Sequence, residues 1–166
     1  MPINAAILTI SDTRTQETDR SGQLLCERAT KAGHQVVRYR IVPDNQGTIE
    51  AALRGCIAAE AVDVVLATGG TGVTGRDVTP EAFHAVYEKE IPGFGELFRW
   101  ISFQKIRTST IQSRATAGVA NGTYLFSLPG STGACKDAWE EILVFQLDAR
   151  HRPCNFAELI PRLRER

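Results

Sequence analysis

The chain has 166 residues, 43% hydrophobic and 23% charged, a composition that suits one globular domain with a sizeable core. Nineteen basic residues balance nineteen acidic ones, so nothing supplies a footprint for nucleic acid or an attraction to an anionic membrane. Cys26, Cys56, Cys135 and Cys154 show no CxxC pair and no histidine at zinc-finger spacing, which excludes the common metal knuckles and redox pairs and leaves free buried thiols. The amino end has no basic n-region and its apolar run is too short to span a bilayer, so a cytoplasmic protein is expected.

Ala5 to Ile10 reads as a first strand, closed by Ser11-Asp12-Thr13-Arg14, whose side chains favour caps and turns. A polar stretch to Ser21 leads into a helix with Leu24, Leu25, Arg28 and Ala29 on one side, and Gly33 stands where a left-handed C-terminal residue is wanted. Val36 to Val42 is the next strand. Ile49, Leu53, Cys56 and Ile57 then mark a second amphipathic helix before the apolar run Val62 to Ala67.

That run opens directly into Thr68-Gly69-Gly70-Thr71-Gly72-Val73, the junction that says most about function. A buried parallel strand ending in glycines places a loop at its carboxyl end, where open α/β sheets bind ligands. Glycines allow positive φ and close approach, so successive N–H groups can converge on a phosphate or carboxylate, with Thr68 and Thr71 as added hydroxyl donors. A tight structural turn is the competing reading. Neither the P-loop nor the dinucleotide fingerprint is present, because no Gly-Lys-Ser/Thr follows and the glycine spacing is wrong.

Thr79-Pro80 offers an N-cap followed by proline at the first helical position, predicting a helix to about Tyr87 that Ile91-Pro92-Gly93 breaks. Phe94, Leu97, Phe98 and Ile101 repeat at helical spacing on a face suited to core or subunit interface. Asn121-Gly122, between Gly118-Val119-Ala120 and Tyr124 to Leu128, is a hairpin signal that adds an antiparallel strand. Pro129-Gly130-Ser131-Thr132-Gly133 forms a second strand-to-loop-to-helix junction, ahead of a helix lined by Cys135, Ala138, Trp139, Ile142 and Leu143. Strands and helices thus alternate into an α/β domain with a mostly parallel sheet, one antiparallel strand and helices on both faces. The tail beyond Leu147 either packs on the body or reaches a partner subunit.

If the strands ending at Ile10, Ala67 and Leu128 are neighbours, Ser11-Asp12, Thr68 to Gly72 and Pro129 to Gly133 meet at one rim as a polar cleft. Ser11-Asp12 and Ser131-Thr132 could equally serve only as caps. Asp44 and Asp77 would repel an anion there unless a cation lay between, which points to Mg²⁺ held by one or two carboxylates and phosphate oxygens. Turn and loop roles for the two aspartates remain the alternative.

The ordered set Thr68-Gly69-Gly70-Thr71-Gly72, Arg76-Asp77-Val78-Thr79-Pro80, Pro92-Gly93-Phe94-Gly95-Glu96, Ser113-Arg114-Ala115 and Pro129-Gly130-Ser131 resembles the MoaB/MogA family of molybdenum cofactor biosynthesis proteins, to which the gephyrin G domain is similar. The tail Leu147-Asp148-Ala149-Arg150 with Arg152-Pro153-Cys154-Asn155-Phe156 resembles the MoaB branch. The resemblance implies a single molybdopterin-binding domain over 1–166, a three-layer α/β/α sandwich, and homotrimers or homohexamers. It implies Mg²⁺- and ATP-dependent adenylylation of molybdopterin with release of pyrophosphate. Thr68, Gly69, Gly70, Thr71 and Gly72 with Pro129, Gly130 and Ser131 would hold phosphate groups, Ser11 and Asp12 would border the pocket, and Glu96 would contact the pterin. Asp44 and Asp77 match the catalytic carboxylates, and we read both as Mg²⁺ ligands or orienters. The alternative within the same pathway is a non-catalytic molybdopterin-binding or scaffold protein.

Overall fold

The computed structural model describes residues 1–165. Six strands form one sheet in the order β2-β1-β3-β6-β5-β4: β1 is Asn4–Ile10, β2 Gln35–Val42, β3 Val64–Thr68, β4 Lys89–Glu90, β5 Thr116–Ala120 and β6 Thr123–Leu128. β1, β3 and β6 are adjacent and parallel, with Ile7 opposite Leu66 and Leu66 opposite Phe126, so their carboxyl ends reach the same rim. The chain passes from β1 outward to β2 and returns to β3 on the other flank of β1. Loops that leave in opposite directions open a crevice at such a switch point.

α1 (Arg20–Lys31), α4 (Pro92–Ile106) and α5 (Thr132–Ala138) cover one face, over a core that includes Ile7, Leu66, Phe94, Phe98 and Phe126. α2 (Gln46–Ile57) and α3 (Thr79–Val86) cover the other, over Leu8, Leu53, Val65 and Phe83. The expected sandwich is therefore present. Phe83, Phe98 and Phe126 are essentially fully buried, and truncating such a side chain to alanine costs about 3–5 kcal/mol.

Local chemistry sets the element ends. Asp19 caps α1 by accepting the Gly22 N–H at 3.0 Å, and Gly33 takes φ +85° just beyond that helix. Asn45 caps α2 through the Thr48 N–H at 3.0 Å. Asn121 and Gly122, at φ +46° and +79°, make the tight turn joining β5 to β6. α5 continues through a π turn at Trp139–Leu143 into α6 (Val144–Gln146), which keeps Cys135, Ala138, Trp139, Ile142 and Leu143 buried.

Several expectations change. β3 begins at Val64 rather than Val62, which is buried in the preceding turn. Thr79 does not cap α3: Val78 occupies the N-cap, and the Thr79 side chain makes no cap bond because it is turned under the glycine loop. Between α3 and α4 the chain makes the short edge strand β4 against β5. Of the predicted α4 face, Phe94 and Phe98 enter the core and Ile101 packs half-buried against it, whereas Leu97 is exposed. All four thiols are free, but Cys154 is exposed and Cys26 half-buried, so the expectation of buried thiols holds for Cys56 and Cys135 alone. The tail packs on the body, where α7 (Phe156–Leu159) stacks Phe156 on Tyr124 with ring centroids 4.9 Å apart. Among the described residues no helix is long and apolar enough to cross a membrane.

Candidate functional site

Two cavities adjoin at the carboxyl rim. One, of about 310 Å³, is lined by Ser11, Asp44, Thr68, Gly69, Gly70, Asp77 and Gly130, joined by Arg14 and Arg76. The other, of about 390 Å³, is lined by Thr71, Gly72, Pro129 and Ser131 together with Phe98, Ser102, Ile106 and Gln112. Gly70, Asp77 and Gly130 belong to both. Residues from the four loops after β1, β2, β3 and β6 therefore converge, as the parallel register requires.

The glycine loop needs its glycines. Gly69 and Gly70 lie at φ +113° and +67°, and a side chain on Gly69 would run into the Ile10 carbonyl of the neighbouring strand. Gly130 packs its Cα side against Gly69, at 3.4 Å for a would-be Cβ, so the loops after β3 and β6 approach closely at these two glycines. The Gly69 N–H is spent on Leu128 O at 3.0 Å.

Not every hydroxyl named from sequence is free. Thr68 Oγ1 donates to Pro129 O at 2.8 Å and accepts from Cys135 Sγ at 3.1 Å, so this buried threonine staples two loops instead of donating to a ligand. Ser131 Oγ caps α5 by accepting the Ala134 N–H at 3.2 Å. Ser11 Oγ accepts the Thr13 and Arg14 N–H groups at 3.2 and 3.1 Å, which shapes the turn that presents Arg14. Asp12 stands outside both cavities. Its Oδ1 accepts the Asp44 N–H at 2.9 Å and its carboxylate pairs with Arg76, tying the loop after β1 to the loop after β2.

Asp44 lies beside Gly70, and Asp77, from the same loop as the glycines, lies beside Gly72. Burial, and then the negative charge of Asp77, push the Asp44 carboxyl above its ordinary range. Burial also acts to raise Asp77, but hydrogen bonds from the Thr74 hydroxyl and N–H, at 2.7 and 2.9 Å, with the Gly72 backbone and the Arg114 charge, hold it low. The two carboxyls of the site are thus shifted in opposite directions, Asp44 upward and Asp77 downward. Among the described residues no group of three or more His, Cys, Asp or Glu could enclose a metal. Two carboxylates facing a phosphate-sized cleft still suit Mg²⁺, which commonly completes its shell with phosphate oxygens and water.

Glu96 lies apart. It lines a third cavity of about 280 Å³ with Pro92, Arg99 and Ser113, and touches neither rim cavity, although Ser113 also borders the larger one.

Three features escaped the sequence reading. Arg114 Nε donates to Gly72 O at 2.7 Å, its Nη2 to Asp77 O at 2.8 Å, and its Nη1 pairs with Glu81, so one guanidinium clasps the whole loop. Arg14 reaches Gly130 O at 3.4 Å and faces the buried Asp19 carboxylate at 3.7 Å. Asp19 in turn accepts Thr9 Oγ1 at 2.6 Å and the Tyr39 hydroxyl at 2.5 Å beneath the cleft. An arginine beside a turn carries no spacing signal, and Ser113-Arg114-Ala115 entered the reading only as part of the resemblance.

Comparison with known proteins accords with this geometry. Residues 6–149 match the family model described as "Probable molybdopterin binding domain". Over 156 residues the chain is 53% identical to molybdenum cofactor biosynthesis protein B of Escherichia coli (strain K12), covering 94% of this chain and 92% of that one. The chain belongs to the MoaB family. It is 45% identical over 147 residues to the protein of that name from Bacillus subtilis (strain 168), covering 87% and 86%. Among solved structures, a molybdenum cofactor biosynthesis protein B superposes with a TM-score of 0.90 at 44% identity, over 100% of this chain and 98% of that one. The tungsten cofactor synthesizing protein MoaB from Pyrococcus furiosus does so with a TM-score of 0.77 at 37% identity, over 86% and 91%. A role in molybdenum cofactor biosynthesis follows from this membership.

Proposed function

We propose that the protein is a cytoplasmic molybdopterin adenylyltransferase acting on ATP with Mg²⁺. The observation that carries this reading is that two cavities of different character share Gly70, Asp77 and Gly130, so each could hold one substrate with its phosphate over the same loop. The cavity with Arg14, Arg76 and the two acids suits a polyphosphate and its cation. The one walled by Phe98, Ile106, Ser102 and Gln112 suits a flat heterocycle that needs apolar faces and polar edges.

In the reaction, an oxygen of the molybdopterin phosphate attacks the α-phosphorus of ATP, a new P–O bond forms, the bond to the β-phosphate oxygen breaks, and pyrophosphate leaves. The attacking phosphate is already ionised near neutral pH, so positioning and neutralisation matter more than a general base. Mg²⁺, when bound, supplies charge neutralisation between the phosphates and the two aspartates. The chain's own part is geometric: Arg114 fixes the loop, Gly69 and Gly70 allow close approach, Asp12 orients the loop of Asp44, and Asp44 with Asp77 hold the cation side. Homotrimers or homohexamers fit the apolar side chains left exposed on and after α4, Leu97, Trp100, Ile106 and Ile111.

Purified protein supplied with molybdopterin, Mg²⁺ and ATP is expected to release pyrophosphate, and Asp77→Asn to abolish release while molybdopterin binding stays within a few-fold. Absence of turnover under conditions that support an active homologue, with pterin binding retained, would replace this reading with a binding or scaffold role.

A further inference from the structure

Thr79 presents an unexplained polar group beside the site. Its side chain is fully buried, and its Oγ1 has no hydrogen-bond partner. Leaving a buried hydroxyl unpaired is costly, so a native chain keeps one only for a reason. The helix gives none, since Val78 holds the N-cap position and the hydroxyl makes no capping bond. The backbone of Thr79 is anchored to the loop instead, its N–H donating to Gly70 O at 3.1 Å. The hydroxyl then lies against the bare Cα of Gly70, where a Cβ would collide with it and would stand 3.2 Å from Asp44 Oδ1. Among the described residues the Asp44 carboxylate accepts no hydrogen bond, the only bond formed by that residue's polar groups in this region being from its N–H to Asp12. An unpaired donor and an unpaired carboxylate thus flank the same side-chain-free space.

We infer that Thr79 is a positioning residue whose hydroxyl donates to the Asp44 carboxylate across Gly70 and fixes its direction toward the cleft. Thr79 lines neither rim cavity, so it acts on substrates through Asp44 and not by touching them. Glycine at position 70 leaves the space between the hydroxyl and the carboxylate free of a side chain. The inference deepens the proposed function by adding a residue to its cation-side carboxylate.

The test is a thermal double-mutant cycle on metal-free protein with Thr79→Val, which keeps the shape and removes the hydroxyl, and Asp44→Ala. With Asp44 present, Thr79→Val is expected to lower the melting temperature by about 3 °C, the shift that one such bond is worth in a domain of this size. With Asp44→Ala, Thr79→Val is expected to raise it, because only an orphaned hydroxyl is removed. The same shift in both backgrounds would overturn the inference. Thr79→Ser should behave as the unmodified protein, and loss of the coupling in that variant as well would reduce Thr79 to packing. If pyrophosphate release is measurable, Thr79→Val should lower kcat about tenfold with KM for molybdopterin within twofold, and Thr79→Ser should restore it; unchanged kcat would also overturn the assignment. Failure of the unmodified protein to turn over would refute the enzymatic reading while the thermal cycle still decided the pairing.

Discussion

Burial first, and the negative charge of Asp77 second, raise the Asp44 carboxyl above its usual range, although the two acids come from loops after different strands. A group whose folded pKa is raised contributes stability below its unfolded value and loses that contribution as pH rises through the folded one. Asp44→Asn is therefore expected to melt higher than the unmodified protein at neutral pH without Mg²⁺, the difference closing below about pH 4, where both states are protonated. Added Mg²⁺ should stabilise the unmodified protein and leave Asp44→Asn unmoved. Calorimetry across pH checks this; a lower melting point for Asp44→Asn at pH 7 would refute it.

Asp77 carries the opposite sign. Its folded pKa is depressed, so its contribution is present above the unfolded value and lost as pH falls through the folded one. Asp77→Asn is expected to melt lower at neutral pH, and the loss should fade on acidification, in the same calorimetric series.

Gly69 and Gly75 lie six residues apart and should respond differently to alanine. Gly69 sits at φ +113° with Ile10 O against it, whereas a Cβ on Gly75 meets nothing within 4 Å. Strain alone at such a φ costs about 1–3 kcal/mol, so Gly69→Ala should lower the melting temperature by at least about 3 °C and weaken molybdopterin binding. Gly75→Ala should change neither. Equal effects of the two would mean that the loop is not held as described.

Arg114 should matter more than its visible ion pair. The bond to Glu81 is exposed and worth about 0–1 kcal/mol, while the bonds to the Gly72 and Asp77 carbonyls fix the loop. Arg114→Gln is expected to weaken ligand binding tenfold or more and Glu81→Gln to leave it within about twofold; a comparable loss from both would show that the ion pair, and not the clasp, is what counts.

Trp100 is 65% exposed and neighbours Leu97 on α4, so Trp100→Glu should shift the protein to smaller species in sedimentation. An unchanged sedimentation coefficient would place any subunit interface elsewhere.

The order of elements was legible because each rests on local pattern: the apolar run into Thr68, the helical spacing of Ile49, Leu53 and Cys56, and the Asn121-Gly122 turn. Chain direction then required the loops after β1, β3 and β6 to share a rim once those strands were neighbours, and the candidate residues Asp44, Asp77, Gly70 and Gly130 did meet there. The roles of individual hydroxyls were not legible. Thr68 looked like a ligand donor and is spent on Pro129, 61 residues away, while Thr79 looked like a helix cap and lies under Gly70.

By itself the sequence determined the alternation of strands and helices, the glycine loop and the two acids near it, since these depend on periodicity and backbone freedom over a few neighbouring residues. Only the tertiary structure decided which strand lies beside which, that Arg114 closes on a loop 42 residues earlier, and that Glu96 faces a separate cavity. Hydrogen bonds and charges act over a few ångströms of space, and residues that come that close through the sheet order carry no mark of it along the chain.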